Sequence, residues 1–474
     1  MATLLGSWRA SGARAGAADL AAGVRLLVLD GKLPPGTRLP AERELAGALG
    51  ASRTMISSAL DRLREAGIVS SRQGAGSWIT VPRCGGQPDG PSEFAVSAAP
   101  GEIDLARAAP AAVAGLGAAI ESAQLRLAAE LCDHGYVEHG LPELREQIAQ
   151  RYAARGLPTT PDQIVVTNGA HNAFALVLRL FTSPGDRVVV EQPTYPNALD
   201  AVRLSNAIPV GVSMREGGWS LPGIESALRA SAPRLAYFVV DFQNPTGLRM
   251  DAEDRRRLAS VLRRAEVPAV VDETVVELDL DGDPLDGPPP LAAFAGEWAI
   301  TVGSASKSHW GGLRLGWIRA SVGVVRRLLS TRNALDLGSP VLEQIVLAEL
   351  LARGDEPVRT RRAELTANRD ALIDALAEHC PQWTFRRPGG GLALWCELPE
   401  PVSTRLAVAA REQGVRLAPG SRFGVHGGFE SRLRLPFALS ADVLLDVVPK
   451  IAEAAKTIRM RASRREIGEP ISVV

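Results

Sequence analysis

Residues 299–317, AITVGSASKSHWGGLRLGW, decide how the rest of the chain is read. Lys307 stands at the centre of this stretch, and the whole chain has just three other lysines, Lys32, Lys450 and Lys456. Arginine carries positive charge almost everywhere else. A guanidinium keeps its proton in a protein and does not act as an amine nucleophile. A lysine retained here therefore points to chemistry that needs a removable proton, such as Schiff-base formation with an aldehyde. The apolar run 299–302 reads as a buried strand. Ser304 and Ser306, with Gly303 and Ala305 between and before them, let backbone and hydroxyls approach a ligand closely. Arg314 follows beyond Gly311 and Gly312. Two hydroxyls and a guanidinium beside an amine suit the phosphate of an aldehyde cofactor. A surface lysine in a glycine-rich loop is the plain alternative for these residues taken alone.

Upstream, short apolar runs alternate with helical periodicity from residue 162 onward. The runs are 164–166, 187–190, 235–240, 269–271 and 299–302, with a helical stretch at 252–265. Such alternation predicts a mostly parallel sheet with helices on both faces, an α/β fold, and ligands beyond the carboxyl ends of its strands. The chemistry-bearing residues fall at those ends. Gly169, Ala170 and His171 follow one strand and open a helix, whose N–H groups can hold a phosphate; many ordinary turns look the same. Tyr195 can stack on a ring or simply fill the core. Asn244, in Gln243-Asn244-Pro245-Thr246-Gly247, can donate to a phenolate oxygen. Asp272 can keep a pyridine nitrogen protonated, or cap a helix.

At the other end, residues 16–81 carry a different pattern. Leu20, Val24, Leu27 and Val28 share a helical face that stops by Gly31. Pro40 starts a second helix ending at Gly50, and Ser52 caps a third that turns Ile56, Ala59, Leu60 and Leu63 inward. Two short helices across a tight turn make a helix-turn-helix, and 68–81 makes a hairpin wing with its tip at 72–76. Residues 1–81 hold ten Arg and Lys against six acids, so this end is basic within a chain of zero formal net charge. Arg53 and Thr54, at the start of the third helix, are placed to meet a major groove. A three-helix protein-docking module is the alternative. The stretch 82–101 is rich in Pro and Gly and reads as a flexible tether.

Length implies two or three domains. Cys84, Cys132, Cys380 and Cys396 are scattered, giving neither a disulfide framework nor zinc-ligand spacing, and no metal site is expected. The apolar run before Arg9 is too short for a secretory signal, and no run is long enough to span a membrane, so a cytoplasmic location is expected.

Two resemblances follow from these residues. Leu39-Pro40-Ala41-Glu42-Arg43-Glu44-Leu45-Ala46, Ala51-Ser52-Arg53-Thr54 and Ser71-Arg72-Gln73-Gly74-Ala75-Gly76 resemble the GntR winged-helix family. That resemblance implies double-stranded DNA contacts at Arg43, Ser52, Arg53, Thr54, Gln73 and Gly74, with Arg72 beside them at the wing tip. Gly135-Tyr136, Gly140-Leu141-Pro142-Glu143-Leu144-Arg145, Gln243–Gly247 and Ser304–Trp317, in that order, resemble fold-type I pyridoxal phosphate enzymes of aminotransferase class I/II. It implies pyridoxal 5′-phosphate as cofactor, an internal aldimine at Lys307, Asp272 at the ring nitrogen, Asn244 at the ring hydroxyl and Tyr195 on the ring. The phosphate would meet Gly169, Ala170, His171, Ser304, Ser306 and Arg314. Tyr136 would approach from a neighbouring subunit, and Arg434 would clamp a substrate or effector carboxylate. One departure stands out. Relatives place a tyrosine shortly after the aspartate; this chain reads Asp272-Glu273-Thr274-Val275. Losing that phenol puts efficient turnover in doubt more than binding.

A winged helix ahead of an aminotransferase-like domain resembles the MocR subfamily of GntR regulators. The division expected is 1–81 for the DNA-binding domain, 82–101 for the linker and 102–474 for the cofactor-binding domain, with a smaller C-terminal α+β subdomain at about 357–474. The function expected is a regulator that senses an amino compound, or the cofactor, through Lys307. A homodimer, head-to-tail and domain-swapped, is implied. A working aminotransferase with a DNA-binding appendage is the alternative, so whether the chain is an enzyme stays open. A cofactor-free scaffold carrying two reading heads is a third reading.

Overall fold

A computed structural model describes residues 16–29, 33, 36–72, 76–80 and 101–466. Gln73 and Gly74, and the linker up to Gly101, lie outside the described residues.

The N-terminal unit packs α1 (Ala17–Leu29), α2 (Glu42–Leu49) and α3 (Arg53–Glu65) beside a sheet of β1 (Arg38–Leu39), β2 (Val69–Arg72) and β3 (Gly76–Ile79). Its core joins Leu20, Val24 and Leu27 of α1 to Ile56, Leu60 and Leu63 of α3. Fully burying each such side chain contributes about 1.5–3 kcal/mol, enough to fix α3 against α1. The third helix begins where its sequence places it: Ser52 Oγ accepts the Met55 N–H at 3.1 Å. β2 and β3 form the antiparallel wing. β1 pairs with β3 and is absent from the sequence reading, because two residues between prolines carry no period. Arg64 ties α3 to the wing, donating from Nε to Ser71 Oγ at 2.9 Å while Nη1 meets Asp61 at 2.6 Å.

The larger part of the chain opens with the short strand β4 (Ile103–Asp104) and is built on a seven-stranded sheet. Its strands are β5 (Ile164–Thr167), β6 (Arg187–Gln192), β7 (Ile208–Ser213), β8 (Leu235–Phe238), β9 (Ala269–Asp272), β10 (Ala299–Ser304) and β11 (Gly316–Arg319). They lie in the order β5-β11-β10-β9-β8-β6-β7. Only β11 is antiparallel to its neighbours. Alternate residues feed two cores. Val188, Val190, Tyr237, Val270, Ile300 and Val302 pack on one face, and Val189, Ala236, Phe238, Ala269 and Val271 on the other. Burial on both faces explains why these strands read as unbroken apolar runs. The sequence reading lacks β7 and β11. β7 is a half-exposed edge strand containing Pro209 and Gly211, and β11 hides inside the glycine-rich stretch that follows Lys307.

A smaller sheet, β12 (Ala393–Glu397), β14 (Ala418–Pro419) and β15 (Arg432–Pro436), runs in the order β12-β15-β14. Helices Glu356–His379, Ser403–Glu412 and Ala441–Glu466 cover it. β4 pairs in parallel with β13 (Val415–Arg416), so residues just past the linker are built into this smaller unit, and Leu105 joins its core. The stretch 389–395 reads as a strand in sequence, and it pairs in two pieces: Gly390 forms an isolated antiparallel bridge with Asp279, and the β12 ladder starts at Ala393. The glycines also form a tight passage: a Cβ on Gly390 would lie 2.4 Å from the Phe242 ring and 2.5 Å from the Leu278 carbonyl.

Candidate functional site

The carboxyl ends of β5, β6, β8, β9 and β10 open into one cavity of about 490 Å³, closed from the far side by β12, β14 and β15 residues. Its size is that of a small-molecule site. Lys307 lines it from a π-helical turn, Ser306–Trp310, that follows β10. The Nζ donates to the Ala108 carbonyl at 2.7 Å. Burial, then the Arg434 charge, lower its pKa to about 8, with Asp272 opposing.

Asp272, at the end of β9, is almost buried and fixed through both oxygens. Tyr237 OH donates to Oδ2 at 2.7 Å and the Thr274 N–H to Oδ1 at 2.9 Å. Burial, then the Asp272 charge, push the Tyr237 phenol well above its ordinary pKa, so it stays a donor. Tyr237 is a site residue that sequence reasoning passed over. Its position as the third residue of an apolar strand signals core, and only the β8–β9 pairing brings it under Asp272.

Arg434, from β15, is 5% exposed and forms no ion pair among the described residues. Its Nη1 donates to Asn244 Oδ1 at 3.4 Å, its Nη2 donates to the Ala106 carbonyl, and its plane lies 5.1 Å over the Phe423 ring. Burial draws its pKa down to about 10. An uncompensated buried guanidinium facing a cavity is a seat for an anion. Engaging Asn244 through its oxygen leaves the amide N–H groups as its donors.

A second anion seat lies across the cavity. Gly169, Ala170 and His171 form the entrance to helix Ala170–Phe181. Arg314 donates to the Asn168 carbonyl at 3.2 Å beside them and has no ion pair among the described residues. Ser304 Oγ lies 2.9 Å from Ser306 Oγ and accepts the Ser306 N–H at 3.1 Å. Gly316 makes this assembly possible, since a Cβ there would lie 2.7 Å from the Ala170 nitrogen and 2.6 Å from the Gly303 carbonyl. Tyr195 lines the wall between the two seats and accepts from Asn197 at 3.0 Å; burial, then Asp272, raise its pKa. An amine, a fixed carboxylate, an amide and an unpaired anion seat match the aldehyde, ring nitrogen, ring oxygen and phosphate of pyridoxal phosphate, so the donor set fits that group. Tyr136 is not among the cavity's lining residues and is 63% exposed.

The winged-helix face is assembled separately. Arg43, Ser52, Arg53, Thr54 and Arg72 are all exposed, with Arg53 and Thr54 in the first turn of α3. Ser52 Oγ accepts the cap bond and keeps its O–H free to donate outward. Among the described residues no helix is long and apolar enough to cross a membrane, and no His, Cys, Asp and Glu cluster is placed to hold a metal.

Comparison with known proteins places both parts. The chain matches the aminotransferase class I and II family over residues 117–451, and the bacterial regulatory proteins of the gntR family over residues 17–79. It belongs to the aminotransferase class I and II family, with a GntR winged helix-turn-helix ahead of that domain. This architecture is that of the MocR subfamily of GntR-type transcription regulators. It is 30% identical over 392 residues to the pyridoxine biosynthesis transcriptional regulator PdxR of Corynebacterium glutamicum, covering 80% of this chain and 82% of that protein. It is 28% identical over 444 residues to the probable rhizopine catabolism regulatory protein MocR of Rhizobium meliloti, covering 85% and 86%. Among solved structures it resembles LysN, the α-aminoadipate aminotransferase of Thermus thermophilus, complexed with N-(5′-phosphopyridoxyl)-L-leucine. The TM-score is 0.69 at 29% identity, over 76% of this chain and 93% of that one.

Proposed function

We propose that this chain is a cytoplasmic transcription regulator in which residues 1–81 read DNA, 82–101 form a tether, and 102–474 hold pyridoxal 5′-phosphate at Lys307. An amino compound, or the cofactor level, sets its output. One observation carries the reading. A buried amine with a pKa near 8 and a buried guanidinium without an ion pair among the described residues share one cavity, in a chain headed by a winged helix.

Pyridoxal phosphate, when bound, supplies an aldehyde that condenses with primary amines and a ring that withdraws electrons. The residues divide the remaining work. Lys307 presents a partly neutral amine. The helix entrance at Gly169–His171, with Arg314, Ser304 and Ser306, holds the phosphate. Asp272, oriented by Tyr237 and the Thr274 N–H, keeps the ring nitrogen's proton. Asn244 donates to the ring oxygen and Tyr195 covers the ring. Arg434 forks onto the carboxylate of an amino compound. Arg43, Ser52, Arg53, Thr54, Arg72, Gln73 and Gly74 meet DNA. A head-to-tail homodimer would bring Tyr136 to the partner's cavity and pair two heads on one operator.

The test joins two titrations. DNA selected by the purified protein from a random pool serves as operator, and absorbance follows pyridoxal phosphate and then candidate amines. An amine that moves both the spectrum and the DNA affinity supports the reading. A spectrum that responds while DNA affinity stays fixed contradicts it. The complete Lys307, Asp272 and Arg434 set, and the likeness to an aminotransferase, favour a second reading as a working transaminase. Thr274 and Val275 line the cavity where relatives place a phenol, which argues against rapid turnover. Steady-state transamination at ordinary enzyme rates, about 1–1000 per second, would reverse the preference.

A further inference from the structure

Residues 102–113 cross the cavity between the linker and the Lys307 turn, and their contacts divide into two kinds. Some are anchors. The Ile103 N–H donates to Gly414 O and the Leu105 N–H to Arg416 O, each at 2.8 Å. Asp104 Oδ2 meets Arg416 at 3.0 Å, and its Oδ1 accepts the Ala106 N–H at 2.9 Å. At the far end Arg361 donates to the Ala111 carbonyl, and the Val113 N–H donates to His309 O at 3.1 Å. The middle contacts are different. Ala106 O is held by Arg434 and Ala108 O by Lys307, the two cavity groups the proposed function reserves for ligands. Alanines suit this role, because no long side chain keeps their carbonyls from the cavity.

We propose that this segment is a strap whose carbonyls compete with ligand for Lys307 and Arg434, so that loading the cavity loosens the chain leading to the DNA-reading head. The inference rests on the cofactor reading above and adds its means of transmission. When the Lys307 amine joins the aldehyde of pyridoxal phosphate, one proton first goes to solvent. Its two remaining hydrogens leave with the aldehyde oxygen as water, and at most one proton returns to the nitrogen. Ala108 O then loses the three-hydrogen donor it has now. Arg434 is in a similar position. Both two-pronged faces of a guanidinium, end-on and side-on, draw on Nη2, which has one hydrogen for each, and the Ala106 carbonyl already holds one of them. A carboxylate that takes the face holding Ala106 displaces the second carbonyl. Cofactor and effector thus release the strap in two stages. The strap lies directly after the 82–101 linker in sequence, so its loosening leaves the anchors at Ile103, Asp104 and Leu105 as the remaining hold on this end of the tether.

The experiment uses the full chain, pyridoxal 5′-phosphate as probe, and Arg361→Met, a change at the Ala111 anchor, which does not line the cavity. A structural role predicts that this variant binds the cofactor less well. Competition predicts tighter binding, because the competent state is populated more often. Absorbance titration should show affinity higher by roughly fivefold or more, the lower bound of common coupling strengths. DNA affinity should shift in the direction that the cofactor shifts it in the wild type. On the unmodified chain, hydrogen exchange read by mass spectrometry should speed up in peptides spanning 103–113 by a similar factor when the cofactor is added. This arm stands even if the variant fails to fold. A cofactor spectrum with unchanged exchange, or a folded Arg361→Met that binds the cofactor no tighter, overturns the strap and leaves the cofactor reading intact. No cofactor spectrum in the wild type overturns both.

Discussion

Lys307 is expected to be the most reactive lysine in the chain near neutral pH. Burial strips water from its ammonium and the Arg434 charge adds to the cost, so its pKa falls from 10.5 to about 8. At about pH 7.5 a pKa near 8 leaves roughly one amine in four neutral, against about one in a thousand at the ordinary lysine value. The gain in nucleophile is a few hundredfold. Trace acetylation with acetic anhydride, mapped by peptide, reads this directly in cofactor-free protein, since few other lysines compete. Lys450 and Lys456 are internal references, each on the surface beside an acid, Asp446 at 2.7 Å and Glu453 at 3.7 Å. The labelling midpoint of Lys307 should fall near pH 8. In Arg434→Gln one of the three lowering causes is gone while burial and the Arg314 charge remain, so the midpoint should rise by roughly one unit or less. A wild-type midpoint above about 10 would refute the burial argument, since it would restore the ordinary lysine value. An unmoved midpoint in the variant would refute the part given to Arg434.

Other substitutions probe the scaffold and the head. Arg53→Ala should weaken binding to selected DNA by about 1–3 kcal/mol at fixed salt and leave the cofactor spectrum untouched; equal affinity would remove Arg53 from the groove. Gly316→Ala puts a methyl against backbone atoms of Gly303, Gly169 and Ala170. It should cost about 1–3 kcal/mol in denaturant stability and lower cofactor affinity by displacing the phosphate seat, with unchanged affinity counting against that seat. Arg155→Met strands Glu273, whose side chain is 1% exposed and pairs with Arg155 at 2.6 Å. A loss of about 3–5 kcal/mol in chemical denaturation is expected, and a loss below about 1 kcal/mol would show the pair dispensable.

The α/β class was legible because strands buried on both faces leave unbroken apolar runs, and because the helix-turn-helix is marked by caps and glycine stops. β7 and β11 were not legible. One is a half-wet edge strand with a proline, and the other shares its residues with a ligand loop. Lys307, Asp272 and Asn244 could be named from their places at or just after strand ends, and Arg434 from the family resemblance; the fold brings them with Arg314 to one cavity. What sequence could not give was the second set of partners. Tyr237 meets Asp272 only because β8 and β9 pair, and Ala106 and Ala108 act through carbonyls, which every residue type carries. Backbone chemistry leaves no mark in composition. The glycine run at 389–391 was legible in part: Gly390 bridges Asp279 rather than joining the β12 ladder, and it also lets Phe242 approach closely.

The central claim is that an aldehyde cofactor on Lys307 governs DNA reading. The most direct measurement is borohydride reduction of the pyridoxal phosphate-loaded protein, with peptide mapping of the adduct and DNA affinity measured before and after. The account predicts a single reduced adduct on Lys307, absent from Lys307→Ala, and a DNA affinity locked at its cofactor-bound value. An adduct confined to Lys32, Lys450 or Lys456, or Lys307 unmodified at saturating cofactor, would contradict it.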